Sequence, residues 1–405
     1  MNITEYVKKM KYTFDEVPFN PVDSLVLSQM SYCRIEFALP KNRRVLDWLH
    51  AGYTVKDFFR NECFEDMFFD GITDDLNMEL MAYVSASRRF RDLKIRDIVG
   101  DMDSDIEKQF GAMIFQLDSE TDFVAFRGTD GSMMGWKEDF NLSYMDEVPS
   151  QTAAVEYIER NYGNSNFTGR KRRIIVGGHS KGGNLAVYGA LMCDPAIHDR
   201  ILGVYSLDGP GFRDEIQEKL DAIEETSHIP MVKLVPQSSV VGMLMQNNDR
   251  YSVVQSDAMG IMQHMAYTWK LYLLEDGEAN FIYLDKIDAG GRYLNRTVRE
   301  WLTGLDDEKR QHFINSLFGV LEENGIETLN DLKALSLPET VRMVTSIRSL
   351  DEEDRKVIVE VLKSLAGAAL PKISNPLEAS LPKIPKISVF GKDKENEENG
   401  EEEEK

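Results

Sequence analysis

The chain has 405 residues, 42% of them hydrophobic and 10% aromatic, which is enough for a large core and too many for wholesale disorder. Acidic residues outnumber basic ones by 69 to 47, a formal charge of −22. That excludes a general nucleic-acid binder, because phosphate backbones are gripped by clustered lysine and arginine. Three cysteines, Cys33, Cys63 and Cys193, make no CxxC pair, which argues against a disulfide framework or a cysteine-rich zinc site.

In chain order, the first twenty residues lack the apolar stretch of a signal peptide. No run approaches the roughly 18 apolar residues of a membrane helix, so no transmembrane segment and a cytoplasmic location are expected. From residue 20 to 294 short apolar runs alternate with amphipathic stretches. Ala112–Leu117 and Phe123–Phe126 flank a turn-like segment, Asp118–Asp122, and read as a hairpin. Ile174–Gly177, Ile201–Leu207 and Met231–Val235 read as strands. Gln151–Asn161, Lys181–Cys193 and Asp214–Thr226 read as the helices among them. Strands alternating with helices imply an α/β fold whose parallel sheet is covered on both faces. Arg170–Arg173 is a short basic run before a strand and reads as a solvated loop.

The expected organisation is a main domain over 1–294, a helical appendix over 295–369, a proline-containing linker over 370–391 and a disordered tail over 392–405. In the appendix, Asp306 or Asp307 opens a helix carrying Phe313, Leu317, Val320 and Leu321 at helical spacing, and Gly325 stops it. A second helix is expected near Leu329. A third is expected from Asp351, with Val357, Val361, Leu362 and Leu365 on one face. The tail holds eight acids and three bases with nothing apolar to bury.

Chemistry concentrates in residues 172–188. Gly178-His179-Ser180-Lys181-Gly182 is the GxSxG pattern of a nucleophile elbow, in which a serine sits on a sharp strand-to-helix turn. A β-branched strand precedes it and a helix follows, as that geometry requires. Gly182, Gly183, Ala186 and Ala190 give the helix a small-residue face for close approach to the sheet. Anion binding at a glycine-rich helix start is the plainer alternative.

A serine hydroxyl needs a base, and in this architecture the acid and then the histidine follow it in the chain. His50 precedes Ser180, His179 adjoins it, and His198 follows the elbow helix too closely. His228 lies at the wrong end of a strand, and His312 falls in the appendix. His264 follows the last parallel strand by a long loop, where the base belongs. Asp208 ends an apolar strand just before Gly209-Pro210-Gly211 and is the first candidate for the acid; Asp257 and Asp249 rank after it. The oxyanion hole would take the N–H of Lys181 and one from the loop after Phe123–Phe126, where Thr129 can add its hydroxyl.

With these residues assembled, the chain resembles the α/β-hydrolase superfamily and, within it, the class III lipases. Ala125-Phe126-Arg127-Gly128-Thr129, with Trp136 and Asp139 after it, is similar to the oxyanion strand of those lipases. Residues 178–186 are similar to their elbow, and Gln263-His264 followed by Trp269 to their histidine region. The runs 21–32 and 206–212 are similar to a bacterial branch of the superfamily. Class III lipases carry their acid in the turn that here reads Pro236–Gly242 and holds no carboxylate, which moves the acid to Asp208.

The resemblance implies a serine hydrolase acting on a carboxylic ester or lipid. Met243, Met245, Met259, Met262 and Met265, or Met133, Met134 and Trp136, would line an acyl pocket or fill the core. An acyltransferase or thioesterase would use the same triad. A non-catalytic scaffold would use the appendix and tail to meet a protein partner. No cofactor and no metal are expected, since neither HExxH nor GxxxxGK[ST] occurs.

Overall fold

The computed structural model describes residues 1–39, 53–59, 67–68, 73–163, 171–246, 248, 250–292, 295–296, 304–349, 352 and 355. Residues Met1–Ala369 form one compact unit. The second unit, Leu370–Lys405, lies outside the described residues, and with it the expected linker and acidic tail. So do Cys63, His50, Asp249, Arg170 and almost all of the helix expected from Asp351.

A nine-stranded sheet organises the chain. Its strands are β1 (Tyr53–Thr54), β2 (Lys94–Asp103), β3 (Lys108–Gln116), β4 (Thr121–Phe126), β5 (Arg173–His179), β6 (Ile201–Leu207), β7 (Met231–Pro236), β8 (Ser252–Val254) and, after a separate hairpin of β9 (Leu271–Leu273) with β10 (Ala279–Phe281), β11 (Tyr283–Leu284). The order is β1-β2-β3-β4-β5-β6-β7-β8-β11. Strands β4 to β8 pair in parallel, while β1 to β4 and the β8–β11 edge pair antiparallel. Helices cover both faces. This is the expected α/β-hydrolase architecture.

The hairpin β3–β4 forms as its sequence implies. Asp118 Oδ1 accepts the N–H groups of Glu120 and Thr121, both at 2.7 Å, and so closes the turn. Arg172 donates to the carbonyls of Ser119 and Asp118 and pairs with Asp122 at 2.7 Å. Arg172 of the basic run therefore pins the hairpin instead of being merely solvated. Within the inner strands, Phe123–Phe126 and Ile174–Gly177 read as apolar runs because both of their faces are buried.

On one face lie α1 (Ile3–Lys9), α2 (Pro21–Met30) and α3 (Asp74–Ala86), whose Tyr6, Leu25, Val26 and Leu80 pack with Phe123 and Trp269. Asn20 caps α2 and shares a capping box with Asp23. Asp23 pairs with Arg89 at 2.6 Å, both side chains fully buried. Four backbone carbonyls of residues 12–18 also accept from Arg89, which ties the N-terminal segment to the main unit.

On the other face lie α5 (Pro149–Tyr162), α6 (Lys181–Met192) and α7 (Asp214–Ser227), with Ile158, Leu185, Leu191 and Leu220 against Val124 and Val176. After β4 runs α4 (Met133–Asn141). The appendix forms α8 (Asp307–Glu323), α9 (Leu329–Ala334) and α10 (Leu337–Ser349). Gly325, at φ +70, turns the chain after α8. The helix α10 was not among the expected elements, although Ser336 and Glu339 supply its capping signal: the Ser336 N–H donates to the Glu339 carboxylate at 2.7 Å.

The appendix packs against the sheet-bearing part of the same compact unit. Phe313, Leu317 and Phe318 of α8 bury Met133 and pack on Trp136 and Phe140 of α4. Ser132 and Thr328 form an antiparallel bridge: Met133 N–H donates to the Glu327 carbonyl at 2.7 Å, and Leu329 N–H to the Gly131 carbonyl at 2.9 Å. Met133 and Trp136 thus belong to the contact with the appendix. Among the described residues, no helix is long and apolar enough to cross a membrane.

Candidate active site

Ser180 occupies the single-residue turn between β5 and α6, with φ 60° and ψ −134°. A non-glycine residue at positive φ is strained and persists only where its surroundings over-determine it. Here glycines permit the crowding. A Cβ at Gly178 would lie 2.2 Å from the Gly182 carbonyl, and one at Gly182 would lie 2.2 Å from the Phe126 oxygen at the end of β4. The Ser180 N–H donates to the Leu207 carbonyl at 2.9 Å. The residue is 7% exposed.

Asp208 follows β6 directly, also at positive φ (51°), and is fully buried. Its Oδ2 lies 2.6 Å from His264 Nδ1. Its Oδ1 accepts from the Ser239 hydroxyl at 2.5 Å and from the Gly242 N–H at 3.2 Å. The turn 236–242, which lacks a carboxylate, instead supplies two donors to the carboxylate one strand away. With Nδ1–H directed at Asp208, a neutral His264 ring keeps its lone pair on Nε2.

The turn that carries His264, Gly260–His264, is held by its neighbour Gln263. Gln263 Oε1 accepts the Ser238 N–H at 2.8 Å, and its carbonyl accepts the indole N–H of the fully buried Trp269 at 2.9 Å. The His179 ring lies against that of His264, centroids 4.6 Å apart and planes tilted by 32°, and its Nε2 lies 2.7 Å from the His264 carbonyl. That nitrogen must carry hydrogen, so Nδ1 accepts from the Tyr32 hydroxyl at 3.1 Å. Burial, with the neighbouring His264, lowers the His179 pKa to about 3 and keeps the ring neutral. Among the described residues, the Ser180 side chain hydrogen-bonds with that of Tyr32 and makes no hydrogen bond to the His264 ring.

The loop after β4 meets the elbow. A Cβ at Gly128 would lie 2.0 Å from the Tyr32 hydroxyl oxygen and 2.6 Å from the His179 carbonyl. Next to it, Thr129 donates its hydroxyl to Asp139 Oδ2 at 2.5 Å. A hydroxyl has one hydrogen, so an ionised Asp139 claims it and leaves Thr129 its backbone N–H as a free donor. Burial raises the Asp139 pKa to about 6, against the opposing pull of Lys181 and of the Thr129 hydrogen bond. The Lys181 side chain is buried beneath the elbow, in an ion pair with Glu138 at 2.8 Å.

The other candidates lie elsewhere. Asp257 is paired with Lys270 and its side chain is 61% exposed. His228 caps α7 before β7, His198 is buried at the end of the short helix Pro195–His198, and His312 lies in α8. Met243 packs with Val235, Val253 and Ile287, while Met259 is 87% exposed. Tyr32, Gln109 and Glu138 had no role in the sequence reading. They stand 147, 72 and 43 positions from the elbow residues they touch, so no local pattern marks them.

The family model described as Mbeg1-like matches residues 84–319. No curated protein matches the chain. Among solved structures, lipase II from Rhizopus niveus is similar at 16% identity, over 63% of this chain and 79% of its own, with a TM-score of 0.36. The lipase from Rhizopus microsporus var. chinensis is similar at 15% identity, over 58% of this chain and 72% of its own, with a TM-score of 0.35. The M37 lipase is similar at 16% identity, over 56% of this chain and 70% of its own, with a TM-score of 0.33.

Proposed function

This chain belongs to the Mbeg1-like family, and from that premise we propose that it is a serine hydrolase cleaving a carboxylic ester through Ser180, His264 and Asp208. The observation that carries the reading is the 2.6 Å contact of Asp208 Oδ2 with His264 Nδ1, on a histidine whose ring lies against the residue before a strained, elbow-borne serine.

In this reading His264 Nε2 removes the Ser180 proton as Oγ attacks the ester carbonyl. Asp208 holds the ring in the working tautomer and stabilises the imidazolium that forms. The Lys181 and Thr129 N–H groups receive the oxyanion of the tetrahedral intermediate. Its collapse expels the alcohol, protonated by His264, and leaves an acyl-Ser180 ester. Water, activated by the same nitrogen, then attacks the acyl carbonyl and releases the acid and free Ser180. No cofactor enters these steps. We take the hydrolase domain as 1–294 and the appendix as 295–369, with α8 and α9 of the appendix packed beside the loop after β4.

Hydrolysis of p-nitrophenyl esters of graded acyl length by the purified chain tests the proposal. Saturable turnover that His264→Ala abolishes is expected. Turnover that survives His264→Ala, or none at any chain length, refutes it.

A further inference from the structure

The residue after the nucleophile is a lysine whose ammonium is entirely buried, and its surroundings are complete. Lys181 Nζ donates to the Gln109 carbonyl at 2.8 Å, to Gln109 Oε1 at 2.7 Å and to Glu138 Oε2 at 2.8 Å, which uses all three of its hydrogens. Glu138 is equally buried; its Oε2 also accepts the Gln109 N–H at 2.9 Å, and its Oε1 accepts the N–H of Ser150 at 2.9 Å and the Ser150 hydroxyl. A buried ion pair is seldom worth more to stability than apolar residues of the same volume. A fully satisfied polar network does, however, hold its members in one arrangement.

The arrangement reaches both N–H groups assigned above to the oxyanion. One end of the lysine is the backbone that bears the Lys181 N–H. At the other end Gln109, gripped through Oε1, extends its Nε2 to the Gly128 carbonyl at 3.5 Å. That carbonyl lies in the same peptide plane as the Thr129 N–H, so orienting one orients the other. Glu138 neighbours Asp139, the acceptor of the Thr129 hydroxyl.

We propose that Lys181, Gln109 and Glu138 form a buried positioning device that sets the Lys181 and Thr129 N–H groups at a fixed separation for the oxyanion. This rests on the hydrolase reading for its catalytic consequence, but the mechanical coupling stands apart from it. The side chains of Gln109 and Glu138 touch no reacting atom; they act through the two peptide groups.

The test compares the full-length wild type with Gln109→Met, which leaves the lysine–glutamate pair in place, and with Lys181→Met/Glu138→Gln, which removes both charges together. Amide hydrogen exchange is read by mass spectrometry without substrate. Gln109→Met should lose protection over residues 127–133 alone, and the double variant over 127–133 and 180–183 together, with the strands of the sheet unchanged. With p-nitrophenyl ester, kcat should fall by up to about 100-fold for either variant while KM holds within about twofold, as for loss of oxyanion donors. Affinity for an aryl boronic acid, which carries a negative oxygen when bound to serine, should fall with kcat.

Unchanged exchange in both segments overturns the coupling, as does a loss spread evenly over the sheet. A fall in kcat matched only by a smaller folded fraction, with boronate affinity unaltered, makes the network merely structural and also overturns the proposal. A wild type inert toward esters refutes the hydrolase reading instead, and exchange still decides the coupling.

Discussion

Replacing Asp139 by asparagine isolates the cost of one buried charge. Burial raises this carboxyl from its ordinary 3.8 to about 6, its Oδ1 is sealed from solvent without a partner, and its Oδ2 takes the Thr129 hydroxyl. The folded state therefore binds a proton that the unfolded chain has already released, and stability falls as pH rises from about 4 to about 6. At ~1.36 kcal/mol for each pH step between 3.8 and about 6, the full cost above that window is about 3 kcal/mol, less whatever solvent screens. Asparagine has the same shape and no charge, and its amide N–H can still donate to Thr129 Oγ1. Asp139→Asn should then be more stable than the wild type above about pH 7, with the gap shrinking by roughly 1.4 kcal/mol between about pH 8 and about pH 5. Urea unfolding of both proteins across that range measures it. A variant less stable than the wild type at pH 8, or a gap that does not change with pH, would refute the reasoning.

Two other substitutions probe the site and its support. Asp208→Asn should lower kcat by up to about 10⁴-fold, because an amide favours the wrong imidazole tautomer. Asp257→Asn, which disturbs only an exposed pair with Lys270, should leave kcat within about twofold; the reverse pattern in ester assays would reassign the acid. Leu329 is the first residue of α9, where proline is tolerated, and its N–H holds the Gly131 carbonyl. Leu329→Pro should therefore fall about fivefold below Leu329→Ala in kcat, the worth of one ~1 kcal/mol hydrogen bond. Equal rates for the two would separate the appendix from the oxyanion loop.

The parts of the fold that could be read from sequence are those where local pattern and tertiary demand coincide. Ile174–Gly177 before Gly178–Gly182 marks a strand, a tight turn and a helix because each requires the residues present. Asp208 could be found because an apolar strand stops there and a glycine-proline turn begins. The strand β2 escaped notice: Lys94–Asp103 is largely polar, its register slips between Arg96 and Val99, and Asp97 sits at φ 47°. Strands of two or three residues, such as β8 and β11, carry too little periodicity to be seen. The contacts of Tyr32 with His179, and of Gln109 and Glu138 with Lys181, exist only after the sheet has brought distant segments together.

The most direct measurement is covalent labelling of the purified full-length chain by a fluorophosphonate, with the modified residue located by peptide mass spectrometry. The account predicts one adduct, on Ser180, with labelling lost in Ser180→Ala and slowed in His264→Ala. An adduct elsewhere, or undiminished labelling of Ser180→Ala, would contradict it.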